Sequence, residues 1–163
     1  MGIDDLLDEY KSWKSTNKNF TAFDYLGIKN TYEDIIILSR LFLPDVSIIA
    51  GCFLLNDSRQ KVAFNEYWKK ATTAADLEKV INFICFPNII KTQTEKDLLL
   101  NKELIPIVKQ SWEGYFYRKY EILNLTVESY EDEYDGLSIT VFQKENTKKV
   151  KPDISELKEY LAT

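Results

Sequence analysis

The chain has 163 residues, 45% hydrophobic and 13% aromatic, and its 26 acidic against 21 basic side chains give a formal net charge of −5. That much apolar material excludes a disordered chain, and the length predicts one domain, residues 1–163. There is no histidine, which excludes Ser-His-Asp and Cys-His nucleophiles, HExxH zinc sites and histidine general bases.

The first residues, Met1 to Asp8, are acidic and lack a basic region ahead of an apolar core, so no signal peptide is expected. No apolar run approaches the ~18–20 residues of a membrane span. These features predict a cytoplasmic protein that does not enter a membrane. Ile3, Leu6, Leu7, Tyr10 and Trp13 fall on one stripe of a helix over residues 3–15. Asp4, Asp5, Asp8 and Glu9 sit in its first turns, where negative charge suits the helix dipole. Thr21 to Leu26 reads as a short helical turn closing at Gly27. Thr31 with Asp34 is a variant of the capping box. It opens a helix whose Ile35, Ile36, Ile37, Leu38, Leu41, Phe42 and Leu43 are apolar nearly all round, the pattern of a deeply buried helix. Pro44 ends it.

Residues 46–55, Val-Ser-Ile-Ile-Ala-Gly-Cys-Phe-Leu-Leu, carry no charge and are apolar on both alternating faces. They predict one central strand buried on both sides, with Gly51 at a bulge or a close backbone approach. A short buried helix capped at Asp45 is the rival reading. Phe64, Tyr67, Trp68 and Ala71 then fit one helical face. Thr73 with Asp76 starts the next helix, with Leu77, Val80, Ile81 and Ile84 as its stripe. Thr94 with Asp97 repeats the cap, and Ile105, Val108, Trp112, Tyr115 and Phe116 keep helical spacing. Pro106 either kinks one long helix or opens a second one near its first turn, the second being the expectation, and Gly114 weakens the helix there.

From Tyr120 the period changes to two. Leu123, Leu125 and Val127, then Leu137, Ile139 and Val141, make a hairpin over residues 120–143 with one apolar and one wet face, turning at Asp135-Gly136. Residues 143–151 read as a polar, flexible link to a C-terminal helix over 153–162. Helices, one strand, more helices and a hairpin make an α+β chain. The expected core is a small, mostly antiparallel sheet, strand 46–55 plus hairpin 120–143, packed against several helices.

The five glycines are scattered, so neither GxGxxG nor a Walker loop can be drawn, and no cofactor is expected. Cys52 and Cys85 have no CxxC or metal spacing and read as buried free thiols. Tyr10 and Lys14 share the YxxxK spacing of some dehydrogenases, but no dinucleotide fingerprint precedes them. The acidic run Glu128, Glu131, Asp132, Glu133 and Asp135 fails as a calcium loop. Aligned on Gly136, it puts Phe142 where a bidentate Glu is needed, so no metal is expected. The run is either a solvated hairpin tip or an acidic patch for a basic partner. Trp112, Tyr115 and Phe116 belong to a core stripe. Tyr117 and Tyr120 are left over beside Arg118 and Lys119, a composition common in binding hot spots. The negative total weighs against nucleic acid.

Two functions fit. The first is a non-catalytic acidic binding or regulatory protein that neutralises a basic or toxic protein partner, as an immunity protein does. Its binding residues would be Glu128, Glu131, Asp132, Glu133, Asp135, Tyr117 and Tyr120, with no catalytic residue. The second is a small enzyme or ligand binder using Tyr and carboxylates in a pocket between sheet and helices.

Overall fold

Four helices begin at a threonine whose side-chain oxygen accepts the backbone N–H of an aspartate three residues on. In the computed structural model, which describes residues 6–55, 58–90, 94–132, 136–151 and 155, these are Thr21, Thr31, Thr73 and Thr94. Each satisfies an orphan donor of the first turn. They open α2 (Ala22–Lys29), α3 (Tyr32–Phe42), α5 (Ala74–Ile81) and α6 (Glu95–Tyr120); α1 (Asp8–Thr16) and α4 (Ser58–Tyr67) complete the set of described helices. None of them is long and apolar enough to cross a membrane.

With these helices go two small antiparallel sheets, an α+β fold. The first is a hairpin of β1 (Val46–Ile49) and β2 (Cys52–Leu55). The uncharged stretch 46–55 is thus folded in half, not one strand. Ala50 and Gly51 turn the chain with φ of 51° and 78°, the two positive values of a type I′ turn. Only β2 is buried on both faces. Phe53 and Leu55 enter a core with Trp112, Phe116 and Val108 of α6, while Cys52 and Leu54 enter a second core with Phe64, Leu77 and Ile81. Two-residue periodicity sends alternate side chains to opposite faces, so β2 is shared by both cores.

The second sheet has the order β3-β5-β4, from β3 (Ile84–Cys85), β4 (Leu125–Asp132) and β5 (Gly136–Gln143). Its hairpin runs in register from Leu125↔Gln143 to Asp132↔Gly136. Residues 120–124 do not belong to it. α6 ends at Tyr120, a 3-10 turn follows over Glu121–Leu123, and Asn124 reverses the chain at φ 46°. Ile84 likewise leaves the helical stripe, since α5 ends at Ile81 and Ile84 pairs with Ile139.

Three further expectations are corrected. α6 is one helix of 26 residues running through Pro106; that residue is exposed, so its ring and missing N–H fall on the solvent side, where water can serve the freed carbonyl. α2 continues past Gly27 to Lys29. Residues 144–151 are not a free link: the Lys148 and Asn146 carbonyls accept the N–H groups of Ala74 and Ala75 at 2.8 and 3.1 Å, and Val150 is buried. This segment therefore caps the first turn of α5. Cys52 is buried and Cys85 half-buried, and neither forms a disulfide. The expected helix 153–162 lies outside the described residues apart from helical Ser155.

α3 departs furthest from expectation. Its last turn is anchored, because the Trp112 indole N–H donates to the Leu41 carbonyl at 2.8 Å and the Ser111 hydroxyl donates to the Phe42 carbonyl at 3.0 Å. Those bonds serve carbonyls that a helix end leaves unpaired. The rest of the helix buries no side chain, and residues 32–40 are all exposed.

Candidate functional site

The acidic residues begin on β4 and are partly matched by lysines. The Tyr130 hydroxyl donates to Glu128 Oε2, and Lys79 Nζ of α5 lies 3.7 Å from the same oxygen. Burial, reinforced by the Glu128 carboxylate, pushes the Tyr130 phenol up to about 12. Glu131 is paired with Lys102 of α6 at 2.7 Å. Asp132 ends β4 opposite Gly136; Glu133 and Asp135 lie outside the described residues. A shallow cavity of about 320 Å³ adjoins this corner, lined by Lys79, Val80, Phe83, Tyr130 and Thr140.

The two tyrosines differ from each other. Tyr117 is exposed, whereas Tyr120 is half-buried, with its ring centroid 5.2 Å from that of Phe53 and 6.3 Å from that of Phe116. Lys119 donates to the Tyr115 hydroxyl at 2.9 Å and lies 5.4 Å from the Tyr120 ring centroid. Hydrogen bonding to Tyr115 and Tyr120 raises its pKa. Tyr120 thus helps close the edge of the core. At 1.5 Å per residue, the stretch of α6 between Lys102, the partner of Glu131, and Tyr117 spans roughly 20 Å. Among the described residues, Glu128 and Glu131 do not gather with Tyr117 and Tyr120 into one site.

Two groups of residues emerge that the sequence reading passed over. The first is a buried polar pair, Glu78 on α5 and Asn82 at its C-terminal cap. Glu78 and Asn82 are fully buried. Glu78 Oε1 accepts the Phe53 N–H at 2.8 Å and the Gln143 side-chain amide at 2.7 Å, while Oε2 accepts the Gln143 N–H at 2.6 Å. Asn82 accepts the Leu55 N–H at 2.9 Å. The open edge of β2 is therefore closed by two side chains, which also reach β5. Burial raises the Glu78 carboxyl above its ordinary range, and the backbone donors of Gln143 and Phe53 oppose that rise. This pair is enclosed in the fold and serves to join the sheets. The signal for it was present: Ala74, Leu77, Glu78, Ile81 and Asn82 follow the i, i+3, i+4, i+7, i+8 spacing of one helical face.

The second group is a surface. On α2 and α3, Phe23 is 84% exposed, Tyr32 89%, Ile28 65%, and Ile36 and Ile37 61% each. Isolated exposed apolar residues are ordinary, but this many large ones on two successive helices are not. The run Ile35-Ile36-Ile37-Leu38 is the sequence signal, since four consecutive helical positions point around the whole circumference. Among the described residues, no three Asp, Glu or Cys side chains converge to hold a metal ion. Comparison of the chain with family models, with curated proteins and with solved structures finds no match in any of the three.

Proposed function

We propose that this chain is a non-catalytic binding or regulatory protein, working in the cytoplasm, that acts by occupying a protein partner. The carrying observation is the exposed apolar surface of α2 and α3, with Phe23, Tyr32, Ile36 and Ile37 all more than half open to solvent. Large apolar side chains left open in this number on a folded domain point to a docking surface, and aromatic anchors supply much of the energy at such sites. The net charge of −5 steers the choice toward a basic partner, such as a basic toxic protein, and away from nucleic acid.

A ligand-binding reading has one observation in its favour, the convergence of Lys79, Tyr130 and Glu128 beside the 320 Å³ cavity. The Tyr130 proton is committed to Glu128, and its high pKa keeps the phenol neutral at physiological pH. That suits holding a ligand better than proton transfer.

The experiment is affinity capture from lysate at low salt with the full chain as bait. The reading expects a basic protein retained by the wild type and lost with Phe23→Asp. The triple reversal of Glu131, Asp132 and Glu133 to Lys, made in the wild type, should by itself reduce capture without unfolding the chain. Equal retention by wild type and Phe23→Asp would remove the helical surface from the account.

A further inference from the structure

The exposed face of α3 is complementary in charge to its own reverse. Glu33, Ile36, Ile37 and Arg40 stand at i, i+3, i+4 and i+7, one stripe along the helix. Of the four consecutive apolar residues 35–38, Ile36 and Ile37 are the most open, at 61% each against 45% for Ile35 and 54% for Leu38, and Tyr32, one turn before Ile36, is 89% exposed. The stripe carries an acid at one end, a base at the other and two isoleucines between. We propose that α3 pairs antiparallel with α3 of a second copy of this chain, about a twofold axis passing between Ile36 and Ile37.

That axis puts Glu33 of each copy against Arg40 of the other, and Ile36 against Ile37. Both ionic contacts are satisfied at once by a single rotation, as a twofold interface requires. The helix dipoles also run head to tail: α3 is acidic in its first turn, with Glu33 and Asp34, and basic in its last, with Arg40. A parallel arrangement would set Arg40 against Arg40 and Glu33 against Glu33. Arg40 is only loosely engaged within its own chain, by Asp45 at 3.7 Å with both side chains more than 60% exposed, so it can reach a second carboxylate. Nothing among the described residues buries the stripe: α3 has no buried side chain. A helix apolar nearly all round is stable in water only when something covers it. The interface is small, one helix from each copy, so association in roughly the micromolar range is expected.

The inference rests on the reading of this helical surface as a docking face, and it names the occupant of one stripe. The test is the solution mass of the full chain by light scattering and sedimentation, over concentrations reaching on the order of 100 µM. The wild type should approach twice the 19.1 kDa chain mass. Glu33→Arg creates two Arg–Arg oppositions per dimer and should weaken association about tenfold. The double exchange Glu33→Arg/Arg40→Glu restores both pairs and should restore the dimer. Ile37→Asp should give a monomer with an unchanged far-UV spectrum, since that side chain is mostly in solvent. A wild type that stays monomeric at the highest concentration overturns the proposal, as does a dimer indifferent to Glu33→Arg. A monomeric wild type that still loses a lysate partner with Phe23→Asp would leave the docking reading standing and sink the self-pairing alone. A dimer that captures no lysate protein would do the reverse.

Discussion

Asn82 and Phe53 are joined across the gap between the two sheets. The Asn82 amide donates to the Phe53 carbonyl at 2.7 Å and to the Val141 carbonyl at 2.8 Å, while its oxygen accepts the Leu55 N–H at 2.9 Å. One side chain thereby stands in for a missing strand, serving β2 on one side and β5 on the other. All three backbone groups belong to buried residues, and a buried polar group without a partner costs about 1–3 kcal/mol. Asn82→Ala should therefore destabilise the chain by about 3 kcal/mol or more. Denaturant titration of both proteins measures this. A loss below about 1 kcal/mol would mean the sheets are held together by packing, with the amide incidental.

Burial of Glu78 gives the fold a pH dependence whose sign follows from the direction in which its carboxyl is shifted. Its carboxyl titrates above the ordinary value of 4.5, chiefly through burial. Across the window between that value and the folded-state pKa, the folded chain keeps a proton that the unfolded chain has released. Stability from Glu78 is then fully present below 4.5 and declines as pH rises through the folded pKa. Asp24 and Asp34 act in the opposite sense. The N–H and hydroxyl of the capping threonines Thr21 and Thr31 hold their carboxyls low, so their contribution is lost as pH falls. Glu78→Gln removes one titration and leaves the others. The stability advantage of wild type over Glu78→Gln should shrink as pH is raised from 4 toward neutrality (about 4 to 7). An advantage that grows over that range would show that the hydrogen bonds from Phe53 and Gln143 outweigh desolvation.

These two residues also mark where sequence reading stopped. Local chemistry was legible: the pairs Thr31-Asp34, Thr73-Asp76 and Thr94-Asp97 place three helix starts, and alternation finds β4 and β5 and marks 46–55 as extended. Long-range chemistry was not. Glu78 and Asn82 occupy buried positions of the α5 stripe, yet polar side chains are read as wet unless their partners are known, and those partners lie on strands distant in sequence. Val80, read as part of the stripe, is 55% exposed. The acidic candidates show the same limit, because Lys79 and Lys102, which meet Glu128 and Glu131, come from helices far along the chain. α3 fails for another reason. Hydrophobicity on all sides tells how much of a helix should be covered, not whether this same chain covers it.

Gly114 sits inside α6 with φ in the ordinary helical region, and a Cβ built on it meets no atom within 4 Å. Neither close packing nor backbone geometry requires glycine there. Gly114→Ala should stabilise the chain by about 0.5–1 kcal/mol through reduced freedom of the unfolded state, raising the thermal midpoint by a few degrees. A lower midpoint would indicate that this exposed position contacts something in the working assembly.

The turn between β1 and β2 permits a paired test of the folded-back strand. Ala50 adopts φ 51° and Gly51 φ 78°, and an alanine in the left-handed region costs about 1 kcal/mol. Asparagine tolerates that region, and Asn-Gly is the favoured pair for a type I′ turn. Ala50→Asn should therefore stabilise by about 0.5–1 kcal/mol. Gly51→Ala should destabilise by about 1 kcal/mol for the same backbone reason, although no atom lies within 4 Å of the added methyl. The turn cannot easily relax to another type, because the Gly51 carbonyl accepts from the side-chain amides of Gln143 and Asn146 at 3.0 Å each. Those bonds fix its direction while leaving the side-chain positions open. If Ala50→Asn lowers stability while Gly51→Ala is neutral, residues 50 and 51 do not form this turn in solution, and the single extended strand is reinstated.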